Sequence, residues 1–225
     1  MIYTHYHCFG DKPGNRYYIS KTWFKKQLKY MFDSSIEFCV TIDDTHKSIY
    51  EVAYPILSEI SVPVIIFLST SDINNGNIKK SQIIEMAKNG ISFQSHSHSH
   101  KNHYLLKKDE IIEEGVRSRE IIEDITGKIV NKYAFPHGAY NKNICCYLSE
   151  IGYKEFFSSD YGLKNIKHKS FILNNRIEIF KNENIDYFLK HSTIFKRRIR
   201  IELSKIRMEY FPRSYKSITL KADKK

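Results

Sequence analysis

Residues 94–100 read Gln94-Ser95-His96-Ser97-His98-Ser99-His100, three histidines alternating with serines directly after the short apolar segment Ile91-Ser92-Phe93. Neutral imidazole is a common metal ligand, and histidines four residues apart can reach one ion where the backbone turns between them. A polar loop that binds no ligand can have the same composition, although histidine-rich tracts often hold metals. The stretch therefore predicts a metal site at the end of a strand.

Two adjacent carboxylates, Asp43 and Asp44, lie about fifty residues before the histidines, at the end of the apolar run 36–42. A carboxylate with two imidazoles is a donor set typical of a catalytic divalent cation. The same aspartates could instead cap the helix that follows the strand. Their combination with the histidine run favours the metal interpretation.

Apolar β-prone runs alternate with segments of helical periodicity along most of the chain. The predicted strands are 2–6, 36–42, 62–68, 91–93, 131–135, 155–158 and 171–173, the last followed by 176–179. The first predicted helix begins near residue 21. Five further helices are predicted over 48–60, 79–88, 108–125, 141–152 and 186–191. This alternation predicts an α/β protein with a parallel sheet, open or closed into a barrel, whose active site lies at the carboxyl ends of the strands.

The chain contains 225 residues, of which 41% are hydrophobic, and is long enough for one α/β domain of barrel size or for two small domains. Its cysteines are Cys8, Cys39, Cys145 and Cys146. No CxxC pair occurs, so neither a disulfide framework nor a zinc knuckle is indicated. The N-terminus lacks the pattern of a signal peptide, and no apolar run approaches the ~20 residues of a membrane span. We therefore expect a cytoplasmic protein, with peripheral contact to the inner membrane face as an option.

The positive charge is concentrated near the C-terminus. Residues 192–225 contain eleven Lys or Arg against three Asp or Glu, a net charge of +8, whereas residues 1–191 carry +3. We predict a catalytic domain over 1–191 and a basic amphipathic tail over 192–225. The tail could pack on the barrel as a helix or contact anionic lipid headgroups or a phosphate-bearing substrate. Nucleic-acid binding is not expected, because no recognised module accompanies the charge.

Three segments resemble the leading motifs of the polysaccharide deacetylases, the NodB-homology family or carbohydrate esterase family 4. They are Thr41-Ile42-Asp43-Asp44, His96-Ser97-His98-Ser99-His100 and Phe135-Pro136-His137-Gly138. The family forms are T-F-D-D, H-[ST]-x-x-H and R-x-P-x-G. The opening Tyr6-His7-Cys8-Phe9-Gly10-Asp11 resembles the poly-N-acetylglucosamine deacetylase branch, in which circular permutation moves a late histidine motif to the N-terminus. The resemblance covers roughly residues 1–180 and implies a distorted (β/α)7 barrel.

The resemblance also implies roles in hydrolysis of an N-acyl group. Asp44, His96 and His100 would hold a divalent cation, by default Zn2+, with Co2+, Ni2+ or Fe2+ as alternatives. Asp43 would be the general base that takes a proton from water. The cation and a backbone N–H near His137 would stabilise the developing oxyanion.

The general acid is assigned to His7, because it occupies the Tyr-His position of the branch. His5 and His191 are the alternatives for this role. His98 is expected not to bind the cation, although a register in which it replaces one ligand is an alternative. The remaining histidines, His46, His103 and His168, are expected at the surface.

Two motif positions depart from the family pattern. Thr45 stands where the family usually has glycine at the entry to the site, and Ala134 stands where an arginine normally orients the base. Arg176 could supply the missing charge from another strand, or it could form a surface ion pair with Glu178. We expect Thr45 and Tyr140, together with His137, to contact the substrate.

The sequence thus predicts a metal-dependent carbohydrate N-deacetylase that cleaves the amide C–N bond of an N-acyl amino sugar. The expected partner is an amino-sugar glycan or a lipid- or nucleotide-linked precursor of a surface glycan, the latter favoured by the expected cytoplasmic location. The alternative is a catalytically degenerate barrel that binds carbohydrate. A non-haem iron oxygenase, which also uses two histidines and a carboxylate, ranks lower because it needs no second aspartate.

Overall fold

The computed structural model describes residues 1–12, 14–33, 37–162 and 165–179. The chain divides into two units, Met1–Glu183 and Asn184–Lys225, and all described residues belong to the first. The predicted helix 186–191, which includes His191, and the predicted tail 192–225 lie outside the described residues. The predicted domain boundary therefore remains a prediction.

The strands and helices follow the predicted alternation. In chain order the strands are β1 (Ile2–Tyr6), β2 (Cys8–Phe9), β3 (Tyr18–Ile19), β4 (Phe38–Asp43), β5 (Val64–Leu68), β6 (Ser92–Ser95), β7 (Lys132–Ala134), β8 (Glu155–Tyr161), β9 (Asn165–Lys167) and β10 (Ile172–Glu178). The α-helices are α1 (Lys21–Asp33), α2 (Tyr54–Glu59), α3 (Lys80–Lys88), α4 (Lys108–Thr126) and α5 (Lys142–Glu150).

Seven strands of the described part of the chain pair in parallel in the order β1-β4-β5-β6-β7-β8-β10. The first and last of them also pair in parallel, with Thr4 opposite Ile177, so the sheet closes on itself. β9 adds to β10 in the antiparallel direction, and β2 pairs with β3 outside the barrel. The predicted (β/α)7-type barrel is confirmed.

The barrel strands read as continuous apolar runs because both of their faces are covered. Every residue of β4 and of β5 is buried, as expected for parallel strands with helices outside and packed side chains inside. The inward-facing side chains form a hydrophobic cluster of Cys39, Ile65, Phe67, Ala134 and Phe157. Within this cluster the Phe67 and Phe157 rings lie 4.9 Å apart between centroids.

Helix ends match local sequence signals. Asn141 accepts a hydrogen bond from the backbone N–H of Ile144 (3.0 Å) and so caps the start of α5. Gly127 follows α4 with φ +64°, the left-handed conformation that terminates many helices. The predicted helix 48–60 begins instead as a π-helical turn over Ile49–Ala53 and continues as α2, which carries a proline in its first turn.

None of the helices in the described ranges is long and apolar enough to cross a bilayer.

One predicted boundary differs from the structure. The segments 171–173 and 176–179 form a single strand, β10, with an irregularity in its pairing to β8 between Asn174 and Arg176. A β-bulge bends a strand and re-aims its side chains. The irregularity lies directly before Arg176, one of the predicted site residues.

Replacing Phe67 by Ala should lower the free energy of unfolding by roughly 3–5 kcal/mol, because it leaves a cavity in the barrel interior. Phe32 is 58% exposed, so the matched Phe32→Ala change should stay within about 0.5 kcal/mol of the parent. Urea unfolding curves of the two variants test this. Equal costs would show that the cluster is not the centre of the folded core.

Candidate metal centre and active site

The predicted site residues follow the carboxyl ends of neighbouring strands, as the sequence argument requires. They are His7 after β1, Asp43 and Asp44 at the end of β4, His96 and His100 after β6, His137 after β7, and Arg176 in β10. Because the strands are parallel and the barrel is closed, these segments meet at one rim.

Asp44, His96 and His100 converge at a single point of this rim. Oδ1 of Asp44 lies 3.2 Å from Nε2 of His100 and 3.6 Å from Nε2 of His96. The two Nε2 atoms are 3.2 Å apart. One donor atom from each residue thus faces the other two, which is the arrangement a single cation requires.

The spacing of these donors fits a divalent transition metal. A zinc ion lies about 2.0–2.2 Å from nitrogen and oxygen ligands, so tetrahedral donors are separated by roughly 3.3–3.6 Å. The observed separations of 3.2, 3.2 and 3.6 Å agree with this geometry to within about 0.1 Å. The spacing of Asp44, His96 and His100 therefore fits such an ion.

Left-handed backbone conformations bring the donors together. Adjacent residues of a regular strand point to opposite faces, yet Asp43 and Asp44 both reach the rim. Asp44 has φ +72°, which ends the strand and turns this carboxylate beside its neighbour. Ser97 (φ +71°) and His100 (φ +55°) have the same unusual conformation, so the histidine run folds back on itself.

The charge states of His96 and Asp44 suit metal ligands. Nδ1 of His96 is 3.0 Å from the carbonyl oxygen of Ala134. A proton donated from Nδ1 to that carbonyl leaves the Nε2 lone pair directed at the site. Burial lowers the pKa of His96 to about 4, which keeps this imidazole neutral. Burial acts to raise the pKa of Asp44, but hydrogen bonding to His100 and nearby imidazoles lower it to about 2, so this group is a carboxylate.

Arg176 is fully buried and pairs with both oxygens of Asp43. Its two terminal nitrogens lie 2.6 Å from Oδ1 and 2.8 Å from Oδ2. Its Nε donates to the carbonyl of Ser158 (2.9 Å), and a terminal N–H reaches the hydroxyl of Thr41 (3.3 Å). The alternative of a surface ion pair with Glu178 is wrong, because the guanidinium is buried and lies over Phe67, 5.6 Å from that ring.

This pairing sets the charge of Asp43. Burial acts to raise the pKa of a carboxyl group, but the charges of Arg176, His5 and His96 together outweigh it and hold the pKa of Asp43 well below its usual range. Nε2 of His5 lies 2.9 Å from Oδ2 of the same carboxylate, although the orientation is not that of a good hydrogen bond. The site therefore contains an ionised carboxylate, Asp43, that is not one of the predicted metal ligands.

His7 is partly exposed and lies beside this carboxylate. Its ring is 4.4 Å from that of His5 and 4.7 Å from that of Tyr17, between centroids. Donor atoms of His5, His7 and Asp43 all lie within 4.8 Å of one another. Burial and the neighbouring His5 lower the pKa of His7 to about 4. The half-buried position gives His7 the access to solvent that the fully buried His5 lacks.

His137 is exposed and has φ +57° in the turn after β7. Its ring lies 4.7 Å from the ring of the predicted ligand His100. Tyr140, three residues later, stacks on Phe135 and donates its hydroxyl to Asp160. The hydroxyl of Tyr140 is thus engaged by Asp160, and its contact with the substrate stays a prediction.

Two expectations need correction, and one alternative is not seen. Thr45 is 1% exposed and donates its hydroxyl to the carbonyl of Ser69 (2.8 Å), so it joins two strand ends and does not line the entry. His103 is buried, with Nε2 2.7 Å from the hydroxyl of Tyr133, and is not a surface residue. The alternative register for His98 is not seen, because its Nδ1 contacts the Thr70 hydroxyl at 2.8 Å, outside the ligand cluster.

The aspartates do not act as a helix cap. The following helical turn begins after Ser48, and no side-chain capping hydrogen bond is present there. One buried carboxylate was not selected from the sequence, namely Glu114 of α4. It lies on the same helix face as Ile111, Gly115 and Ser118, and a charged residue on a buried helical stripe is a signal that could have identified it.

Fold and rim together define a parallel β/α barrel with a two-histidine, one-carboxylate centre and a second carboxylate held by arginine. A family model for polysaccharide deacetylases matches residues 34–156, more than half of the chain. The chain belongs to the polysaccharide deacetylase family, and the predicted resemblance is confirmed.

Related proteins agree with this assignment. A poly-β-1,6-N-acetyl-D-glucosamine N-deacetylase of Staphylococcus aureus is 25% identical over 188 residues, 68% of this chain and 65% of that protein. The chain thus spans slightly less than two thirds of this relative's length. The Streptococcus pyogenes deacetylase PplD, solved with acetate, has a TM-score of 0.74 at 21% identity over 84% of this chain and 96% of its own. A Bacillus cereus polysaccharide deacetylase has a TM-score of 0.75 at 20% identity over 84% of this chain and 67% of its own. The two structures share the fold.

Replacing Arg176 by Met should lower the free energy of unfolding by roughly 3–5 kcal/mol, because Asp43 then remains as an unpaired buried charge. The double variant Arg176→Met/Asp43→Leu removes both charges and should recover much of this loss. The exposed Arg117 provides the control, since Arg117→Met should change little. Urea unfolding at neutral pH measures all variants, and costs that simply add in the double variant would contradict a coupled pair.

Proposed function

We propose that this chain is a metal-dependent hydrolase that removes an N-acyl group, most often acetyl, from an amino sugar. One observation carries the proposal. The predicted ligands Asp44, His96 and His100 meet at one rim, beside an ionised carboxylate, Asp43, and an accessible imidazole, His7. These are the donor set, base and acid that amide hydrolysis requires.

The cation is proposed to be Zn2+, with Co2+, Ni2+ or Fe2+ able to occupy the same donors. When bound, it would polarise the amide carbonyl and lower the pKa of a water molecule, which makes hydrolysis feasible near neutral pH. Asp44, His96 and His100 would hold it at the donor spacing described above. The carbonyl of Ala134 would keep His96 in the tautomer that presents Nε2.

Asp43 is proposed to accept a proton from the attacking water. Its bidentate partner Arg176 keeps it ionised and fixes the carboxylate plane. Arg176 therefore performs, from β10, the orienting function that the family pattern places at position 134. The short distance between Asp43 Oδ2 and the ligand atom Nε2 of His96, 3.9 Å, puts the base beside the metal centre.

His7 is proposed to protonate the departing amine. In the resting site its imidazole is neutral, and negative charge developing on the substrate would raise its pKa, since an opposite charge nearby favours the imidazolium form. The water oxygen bonds to the carbonyl carbon while Asp43 takes a proton from the water. His7, which has then taken up a proton from solvent, passes it to the amine nitrogen as the C–N bond breaks, and Asp43 releases its proton to solvent. Fully buried His5 is the weaker candidate, because it reaches Asp43 but not solvent.

The substrate is proposed to enter over the segment that follows His100. Two large side chains there are exposed, Tyr104 at 59% and Leu105 at 83%. The hydroxyl of Tyr104 donates to the carbonyl of Tyr140 (2.5 Å), so this segment is tied to the turn that contains His137. An exposed aromatic and apolar surface beside polar catalytic groups is typical of a ligand-binding surface.

The backbone N–H near His137 is proposed to stabilise the oxyanion that forms during hydrolysis.

The identity of the glycan is the finer part of the proposal. The named S. aureus relative acts on a β-1,6-linked N-acetylglucosamine polymer, which supports an amino-sugar glycan. The net charge of +8 over residues 192–225 supports an anionic lipid- or nucleotide-linked precursor or a membrane surface. We therefore propose that the substrate is an amino-sugar glycan. Within this class, we propose a lipid- or nucleotide-linked precursor. A barrel that only binds glycan is the competing function.

A panel of N-acyl amino sugars, each with an acetyl or a formyl group, tests the proposal. Free β-1,6-linked oligomers, a nucleotide-linked sugar and a lipid-linked sugar are incubated with the zinc-loaded protein, and released acetate or formate is measured. We expect release from at least one of them, and Asp43→Asn should reduce the rate by roughly 10²–10⁴-fold because the general base is lost. Zinc affinity should stay within a few fold, since Asp43 is not among the ligands.

The surface change Asp124→Asn is the matched control and should leave the rate unchanged, because Asp124 pairs with Lys80 away from the rim. Release from polymer but from no precursor would refute the precursor prediction alone. No release from any substrate would favour the binding function. Chelation should abolish release, and added zinc should restore it.

Replacing His7 by Gln should lower kcat on the N-acetyl amide by roughly 10²–10⁴-fold. The loss should be much smaller on an aryl acetate ester, whose phenolate leaves without protonation. His168→Gln is the matched control, because His168 stacks on Phe171 outside the site. Comparable losses on amide and ester would exclude His7 as the acid and return the role to another group.

A further inference from the structure

The loop between the two ligand histidines is held by one buried carboxylate. Glu114 of α4 is 9% exposed and contacts all three residues of the loop 97–99. Its Oε2 accepts the backbone N–H groups of His98 (2.9 Å) and Ser99 (2.7 Å) and the hydroxyl of Ser97. Its Oε1 accepts the hydroxyl of Ser99 at 2.5 Å. Every residue between His96 and His100 therefore donates to the same side chain.

The other side of the loop is fixed by the 3-10 turn Thr70–Asp72. The amide of Thr70 donates to the carbonyl of Ser97 (3.3 Å), and the amide of Ser71 donates to that of His98 (2.9 Å). The loop thus lies between backbone donors on one side and a carboxylate on the other. Its polar groups are satisfied from both directions, which restricts the loop to one conformation.

This conformation is costly in isolation. Ser97 and His100 have positive φ values of +71° and +55° without being glycine. Such residues persist where surrounding contacts over-determine the backbone. The contacts from Glu114 reach Ser97 directly and end one residue before His100, so they act where the strain lies.

We propose that Glu114 is a positioning residue of the metal centre, whose carboxylate holds loop 97–99 so that His96 and His100 face one another at ligand spacing before a cation binds. The inference rests on the proposed metal site. It concerns a residue that touches neither the cation nor the substrate. Glu114 acts through the backbone of the loop. Residues that orient metal ligands without touching the metal are known to change metal affinity.

A carboxylate suits this position better than an amide. Four N–H or O–H donors converge on two oxygens that together offer about four lone-pair sites. Burial acts to raise the pKa of Glu114, but the hydrogen bonds from Ser97 and Ser99 outweigh it and lower the pKa, so the group is ionised at neutral pH. In a glutamine, the NH2 group would face N–H or O–H donors with which it cannot form hydrogen bonds. The remaining hydrogen bonds would no longer be strengthened by the negative charge.

Zinc affinity of three variants of the full chain tests the role. Glu114→Ala should weaken zinc binding by roughly 10–100-fold, the range typical of losing a group behind a ligand. Glu114→Gln, which keeps the shape and part of the hydrogen bonding, should show a smaller loss. Glu113→Ala is the matched control, because Glu113 is the adjacent and exposed residue of the same helix. Titration against a chromophoric zinc chelator gives the dissociation constants.

A second readout separates positioning from a general loss of structure. Deacetylation by Glu114→Gln should recover toward the parent rate at saturating zinc, and the metal-free variants should retain the parent circular dichroism spectrum. If Glu114→Ala does not fold, Glu114→Gln and Ser99→Ala carry the same prediction of weaker zinc binding. Unchanged zinc affinity in the folded Glu114 variants, with a parent that binds zinc, would overturn the inference. A parent that binds no zinc would overturn the proposed metal centre, and this inference with it.

Discussion

The buried pair of Arg176 and Asp43 is the interaction on which the site depends. Each charge alone would be costly inside a barrel, and together they are tolerated because four hydrogen bonds satisfy the guanidinium. The pair joins β4 to β10, which are separated in the barrel by β1. It therefore fixes these strands relative to each other, and it keeps the carboxylate ionised in a place where burial would otherwise favour its neutral form.

Two neighbouring aspartates acquire different surroundings from this constraint. Asp43 ends its strand facing the arginine inside the barrel, whereas the left-handed turn at Asp44 brings the second carboxylate to the histidines. One residue can thus be a metal ligand while the adjacent one remains available as a base. The histidine run has a comparable dependence on its surroundings, because its unusual backbone is held by Glu114 and by the turn at residues 70–72. A site of this kind is built from strained loop segments on a rigid barrel.

Much of the arrangement could be predicted from local pattern. Alternating apolar and amphipathic segments indicated the βα units, and the polar residues after several strands indicated the rim, because parallel strands of a barrel end together. The confirmed family resemblance rested on the aspartate pair and the histidine run. Two of the errors share one cause. Thr45 was expected at the entry to the site and His103 at the surface, but their side chains turn to partners in neighbouring segments, Ser69 and Tyr133.

The sequence by itself determined the order of elements, the type of most of them and the inventory of chemical groups, since these depend on residues close together in the chain and on periodic burial. Only the tertiary structure decided which groups meet. The contact between Asp43 and Arg176 joins residues 133 positions apart, and it exists because the last strand closes against the first. The charge states of Asp43, His7 and Glu114 likewise follow from burial and from partners on other elements, which no local pattern specifies.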